Sequence, residues 1–528
     1  MRPLFDPVFA VLPIVLLIYW MTKPKSMPSN RALPLATLVL YTILLFYFAI
    51  RPLLVHAAVV EGLLTALTPI SIVWGAILLF KTMEHTGSMD TVRRWLNSIT
   101  ANRVAQLMII GWSFSFLVEG VSGFGTPAAL AAPLLVGMGF PPLPVAVLCL
   151  MMNTVPVSFG AVGMPTWFGL GNLGLTPDEL REIAFKSALM HAGAAMVIPL
   201  MALRVVVSSR EIRANLGYIG LVIVATMIVY VVVARFNVEF PSIAGGTCGL
   251  IASVWLAKHS IGLEVTEATQ HAERITWSSL LKATFPLWAT LLILILTRVN
   301  AFPLKSWLTA SSPSWSLPIF ALGELRISPA LVVQWQRILG TELNWSHAIL
   351  YVPSVIPFLV VSAMTVAIYR TPAVDVRTAW RESMMQVVKP IGAFLGALVF
   401  VKLLMVGDER SCAAILGTWL ANGSGSLWQF VAVYLGALGS FFSGSNTVSN
   451  LTFGGIQNAT ASTLCLSRTT ILSLQSVGGA MGNMVCVHNI VAVCSILGLS
   501  DQEGPILRKT FLPVLIYGAI ASIFATML

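Results

Sequence analysis

Two stretches of an otherwise apolar chain hold the residues that could do chemistry. In FLVEGVSGFGTPAAL (Phe116 to Leu130), Glu119 is the only carboxylate, and Gly120, Ser122, Gly123, Gly125 and Thr126 follow it. In FFSGSNTVSNLTFGG (Phe441 to Gly455), Ser443, Gly444, Ser445, Asn446, Thr447 and Asn450 fill the matching place. Hydroxyls and amides offer donors and acceptors that hold a small anion without trapping it. Glycines let a ligand approach the backbone closely. An ionisable group inside an apolar segment is a functional hypothesis by default, so Glu119 is the candidate proton carrier.

The elements that must position these residues follow from the solvent. Lipid cannot satisfy a freed backbone N–H or C=O, so a broken helix survives at membrane depth only where it lines an enclosed cavity. Each break should therefore end a half-helix, whose N-terminal N–H groups and positive dipole end suit a carboxylate. A second pair of weak spots follows in each half, NTVPVSFGAVGMP (Asn153 to Pro165) and QSVGGAMGNMVCVHN (Gln475 to Asn489). Asn153 joins the candidate ligands on this ground. Two repeat cores are read, 104–207 with its break at 119–127 and 427–500 with its break at 443–450. Paired interruptions in corresponding positions of two halves point to a transporter's binding site. The competing reading is helix packing through small residues, which gives no reason for Glu119, Asn446 and Asn450 to lie beside the glycines.

Composition sets the solvent. Of 528 residues, 57% are hydrophobic and 10% charged, with a mean hydropathy of +0.86. Soluble domains carry about 25% charged residues, so the chain reads as one integral membrane protein over 1–528. The net charge of +10 is spread over short loops, which argues for the positive-inside rule and against nucleic acid. The six cysteines show no pairing or metal-type spacing, and no cleavable signal peptide is visible.

Apolar runs of about 17–25 residues place helices near 4–22, 33–50, 57–80, 104–118, 187–207, 216–234, 240–257, 282–298, 346–369, 388–406, 427–442 and 507–527. With half-helices in the interrupted regions, the fold class is an all-α polytopic membrane protein of about twelve to fourteen helices. The loop carrying Lys23, Lys25 and Arg31 should be cytoplasmic, which puts the N-terminus outside. The helix at 104 then starts inside and the one at 427 outside, so the two repeats are inverted. The segment 299–345 falls outside the cell and is expected to hold interfacial helices, with Trp307, Trp315, Trp335 and Trp345 at headgroup level.

Glu119-Gly120, the run LVEGVSGFGTPAALAAPLLVGMGFPPLPVAVLCLMMNTVPVSFGAVGMP and the run SGSNTVSNLTFGGIQNATA resemble the bacterial lactate permease family, and the resemblance covers nearly the whole chain. It implies a proton symporter for L-lactate, D-lactate or glycolate, with inverted repeats, paired re-entrant hairpins and a transport domain that slides elevator-fashion against a scaffold. It also implies Asp and Lys at positions where this chain has Asn446 and Asn483. Their joint absence suggests that the two positions compensate one another, and it opens the choice of coupling ion.

The function read from these features is secondary active uptake of a short 2-hydroxymonocarboxylate across a bacterial plasma membrane, driven by protons. The alternatives are a different carboxylate, sodium coupling, or a channel. The partners are the monocarboxylate, H⁺ or Na⁺, and the lipid bilayer; homo-oligomerisation is left open. No cofactor, metal ligand set or catalytic residue is expected, because HExxH, GxSxG and nucleotide-binding motifs are missing. His191 reads as a packing histidine, and His488, beside the second break, as the better proton-carrier candidate of the two. Glu61 reads as a scaffold residue.

Overall fold

Long apolar runs become helices here because a backbone in lipid has no other partner. The computed structural model describes residues 2–23, 27–123, 126–264, 276–298, 302–352, 354–407, 410–499 and 502–528. Among them, six helices are long and apolar enough to cross a membrane: Pro52–His85, Arg103–Ser122, Pro177–Val206, Leu216–Phe236, Ala373–Met405 and Glu503–Ala525. Two bent pairs bring the number to eight, and Phe5–Met21, Asn30–Phe46 and Val355–Tyr369 are shorter apolar helices. The remaining expected helices are present as interrupted pieces. The protein is a polytopic, all-helical membrane protein.

The chain divides into two compact units, Met1–Val92 with Thr276–Trp419, and Arg93–Ile275 with Leu420–Leu528. In the first unit, Ala373–Met405 is the long central helix, packed against Ser29–Phe46, Pro52–Thr65 and Leu67–His85. Small residues allow the close approach: a side chain at Gly62 would lie 2.7 Å from the Val399 backbone. Beside that crossing, Lys402 Nζ meets Glu61 Oε1 at 2.6 Å. Glu61 is thus a structural residue of this unit, as the sequence suggested.

The segment 299–345 departs from expectation. Interfacial helices are reduced to Leu304–Leu308, and the rest forms an antiparallel sheet of β1 (Trp315–Pro318), β2 (Glu324–Ile327), β3 (Val332–Gln336) and β4 (Trp345–Ala348), in sequence order. The tryptophans that read as headgroup anchors are strand residues: Leu325 faces Trp335, and Trp335 faces Trp345. Alternating aromatic and β-branched residues between turns favour a sheet, whose cross-strand pairs supply its stability. The span expected from 346 consequently begins only at Ser354.

The second unit holds both repeat cores. In the first, Arg103–Ser122 runs into the break and Thr126–Gly137 packs back along it. Within that long helix, Leu107–Phe114 is wound as a π-helix, a form frequent near functional sites. In the second core, Trp428–Ser443 and Asn446–Thr463 make the same fold-back around Gly444 and Ser445. Each hairpin is followed by another interrupted helix. Pro142–Met152 meets Val155–Leu173 at a 44° bend, and Arg468–Gly482 meets Val487–Leu497 across 483–486. The order helix, break, helix, break is therefore realised twice in one unit.

Candidate functional site

Four breaks converge on one cavity in the second unit. Its wall includes Glu119 and Gly123 from the first hairpin, and Asn153, Val157, Gly160, Ala161, Met164 and Pro165 from the bent helix after it. The second hairpin contributes Gly444, Ser445, Asn446 and Thr447, and the last break contributes Asn483 and Asn489. The space between them not filled by protein atoms is about 350 Å³, within the usual range for a small-ligand site.

Local backbone geometry explains why the wall is polar and close. Gly123 ends the helix Ser115–Ser122 at φ 65°, a left-handed conformation that disfavours a Cβ. Opposite it, Ala161, Val162 and Gly163 have φ of 46°, 60° and 72°. A β-branched valine in that region is strained, and such strain persists only where surrounding structure enforces it. The run turns the chain sharply beneath Gly123, where a Cβ would lie 3.1 Å from that of Ala161.

Glu119 is 3% exposed and accepts a hydrogen bond from Asn153 Nδ2 at 3.1 Å. Its carboxyl fits because position 160 is glycine: a Cβ there would lie 2.5 Å from Glu119 Oε1. No Lys, Arg, His or second carboxylate is among the described lining residues. An uncompensated charge at membrane depth costs about 3 kcal/mol on insertion scales. Neutralisation by a proton or a small cation removes that cost.

The opposite wall is built from donors. Asn446 and Thr447 open the helix Asn446–Thr463, where the first N–H groups have no intrahelical acceptor. Ser445 caps the helix, its Oγ accepting from Val448 N at 3.4 Å. The Asn446 side chain is 2% exposed, yet neither its Nδ2 nor its Oδ1 has a hydrogen-bond partner. The Asn153 Oδ1 is equally unpartnered. Buried polar atoms left open in this way call for an explanation such as a ligand.

The structure brings together Glu119, Gly123, Asn153, Gly444, Ser445, Asn446 and Thr447. Four other candidates lie off the wall. Gly120 faces the helix Pro241–Lys258, where a Cβ would meet Ile243 N at 2.7 Å, so it serves helix packing. Ser122 Oγ donates to Val118 O at 2.9 Å and Ser443 Oγ to Gly439 O at 2.7 Å, the local back-bonding usual for hydroxyls in helices. Asn450 donates to Pro165 O at 2.9 Å and ties the second hairpin to the strained turn. Gly125 lies outside the described residues, as does the side chain of Thr126.

Gly160, Asn489 and the turn at 161–163 were not singled out from the sequence, though all lie inside the weak spots read there. Asn489 Nδ2 donates to the Asn483 carbonyl at 3.2 Å, closing the last break. His191 is fully buried, with Nδ1 2.6 Å from Tyr517 Oη and Nε2 2.8 Å from Ser158 Oγ, so both ring nitrogens are engaged. It is the satisfied packing histidine expected. The side chain of His488 lies outside the described residues.

A polytopic helical protein whose interrupted hairpins enclose one polar cavity in its membrane-spanning core has the build of a membrane transporter. The profile of the L-lactate permease family matches residues 6–528, and the chain belongs to that family. It is 44% identical over 521 residues to a protein of Haemophilus influenzae provisionally described as an L-lactate permease, covering 99% of this chain and 98% of that one. It is 28% identical over 524 residues to the glycolate permease GlcA of Escherichia coli, covering 92% and 89%. Among solved structures, the YdaH transporter of Alcanivorax borkumensis aligns over 100% of this chain and 98% of its own, with 14% identity and a TM-score of 0.45. No argument is drawn from a likeness at that score.

Proposed function

We propose that this transporter takes up a short 2-hydroxymonocarboxylate such as lactate or glycolate, driven by the proton gradient, with Glu119 carrying the proton. The observation that carries this reading is the cavity's division of labour. One wall holds a buried carboxyl with no countercharge among the described lining residues, and the other holds open N–H and amide donors. A substrate anion suits the second wall, and a proton on Glu119 removes the repulsion between that anion and the first. The substrates named for the relatives, L-lactate and glycolate, are of this chemistry.

The same reading places the N-terminus outside a bacterial plasma membrane and inverts the two repeats, on the positions of Lys23, Lys25 and Arg31 and the later basic loops. The site lies wholly within one of the two units, as a mechanism that carries substrate and site together requires. Sodium in place of the proton is the second reading, because oxygen-rich walls and an uncompensated carboxylate also suit Na⁺. A channel is disfavoured, since no ring of like residues lines the cavity.

Counterflow in proteoliposomes with a panel of short carboxylates tests this, with pH and sodium gradients imposed separately. Accumulation of lactate or glycolate under an inward proton gradient alone is the expected result. Accumulation under sodium alone transfers the reading to Na⁺, and downhill flux without accumulation rejects coupling altogether.

A further inference from the structure

The cavity is not symmetric for hydrogen bonding, and the asymmetry fixes how a substrate lies in it. Asn153 gives its amino group to Glu119 Oε2 at 3.1 Å, which leaves its Oδ1 as the open atom on a cavity-lining residue. That wall therefore presents acceptors, the Asn153 oxygen and the Glu119 carboxyl, and a carboxylate placed there would set acceptor against acceptor. Across the cavity, the N-terminus of the eighteen-residue helix Asn446–Thr463 presents N–H donors and positive dipole. A second, independent observation points to a ligand there: the buried Asn446 amide has no partner for either polar atom.

We infer that Asn153 is the specificity-determining residue that reads the substrate hydroxyl, while Asn446 and the first turn of its helix hold the carboxylate. This rests on the carboxylate-transport reading above and adds an orientation and a division of roles to it. The hydroxyl donates to Asn153 Oδ1, and the carboxylate accepts from Asn446 Nδ2 and from the N–H groups of Asn446 and Thr447. Glu119 acts on selectivity indirectly, by holding the Asn153 amino group so that the oxygen stays turned toward the ligand. A site built to bond a hydroxyl rejects the analogue lacking it, because its polar atom is then left unpaired.

Two pairs of acids differing only in that hydroxyl make the test, L-lactate against propionate and glycolate against acetate, each measured as KM in counterflow by the full-length protein in proteoliposomes. In the wild type, each hydroxy acid should show a KM at least about tenfold below its partner's. Asn153→Ala should raise KM for the hydroxy acids and collapse both ratios toward one. Asn446→Ala should raise KM for all four acids together and leave the ratios intact. Equal KM values within each wild-type pair overturn the orientation, and so does a ratio that survives in Asn153→Ala or collapses in Asn446→Ala. The wild-type pairs decide the matter even where Asn153→Ala does not insert. Counterflow of no acid by the wild type overturns the transport reading itself, a result distinct from flux without hydroxyl preference.

Discussion

Two carboxylates are buried in apolar helices of this chain, and they are held in opposite ways. Glu61, in the first unit, has Lys402 Nζ at 2.6 Å and sits beside a glycine-mediated helix crossing. Glu119, in the second, accepts from the neutral Asn153 amide and lines a cavity with no cation on its described wall. A buried charge is tolerated when its partner is permanent, and such a pair has nothing left to exchange. A buried carboxyl with a neutral partner must trade its charge against a mobile one. The first arrangement belongs to architecture and the second to function, although hydropathy makes the two glutamates look alike.

The largest effect should come from breaking the cavity beside Glu119. Gly123→Leu places a bulky side chain at a position with φ 65° and Ala161 already at contact distance, so counterflow should fall to background while the protein still inserts. Normal uptake would mean that the hairpin tip is only a packing surface. Breaking the Glu61 pair should act on stability instead. Lys402→Met strands a buried carboxylate and should cost about 3–5 kcal/mol, seen as a lowered midpoint of thermal unfolding in detergent. Lys402→Met with Glu61→Gln should recover most of the loss, with the wild-type KM retained. A KM change in the folded double variant would give Glu61 a part in transport.

A smaller contrast sharpens the account of the cavity. Asn446 and Asn483 line the same space, and a side chain on Gly479, one turn before Asn483, would collide with Asn446 Oδ1. Asn446→Asp alone should reduce uptake more than Asn446→Asp with Asn483→Lys, because a partner offsets a lone buried anion. Additive damage in the double variant would show that the two positions do not communicate.

What the sequence disclosed follows the same physics. The hairpin tips were legible because Gly, Ser, Thr and Asn inside an apolar run have few uses other than breaking a helix around a cavity. Glu119 was legible as the only carboxylate in either break. The left-handed turn at 161–163 was not, since alanine and valine give no sign of positive φ and only tertiary contacts impose it. Ser122, Ser443 and Asn450 share residue types with the cavity wall, and helix phase decides which of them face it. The sheet at 315–348 was missed because prolines and tryptophans read as an interfacial signature, while its strands are only four or five residues long.

The central claim is that Glu119 is the group through which the proton drives transport. Glu119→Gln keeps the shape of the protonated carboxyl and removes its titration, so the decisive comparison is between two fluxes in one preparation. Proteoliposomes of wild type and Glu119→Gln would be assayed for lactate counterflow at equal pH and for accumulation under an inward proton gradient. The account predicts that the variant keeps counterflow within a few-fold of wild type and loses accumulation by about tenfold or more, the equivalent of about 1.4 kcal/mol of coupling. Undiminished pH-driven accumulation by Glu119→Gln would contradict it.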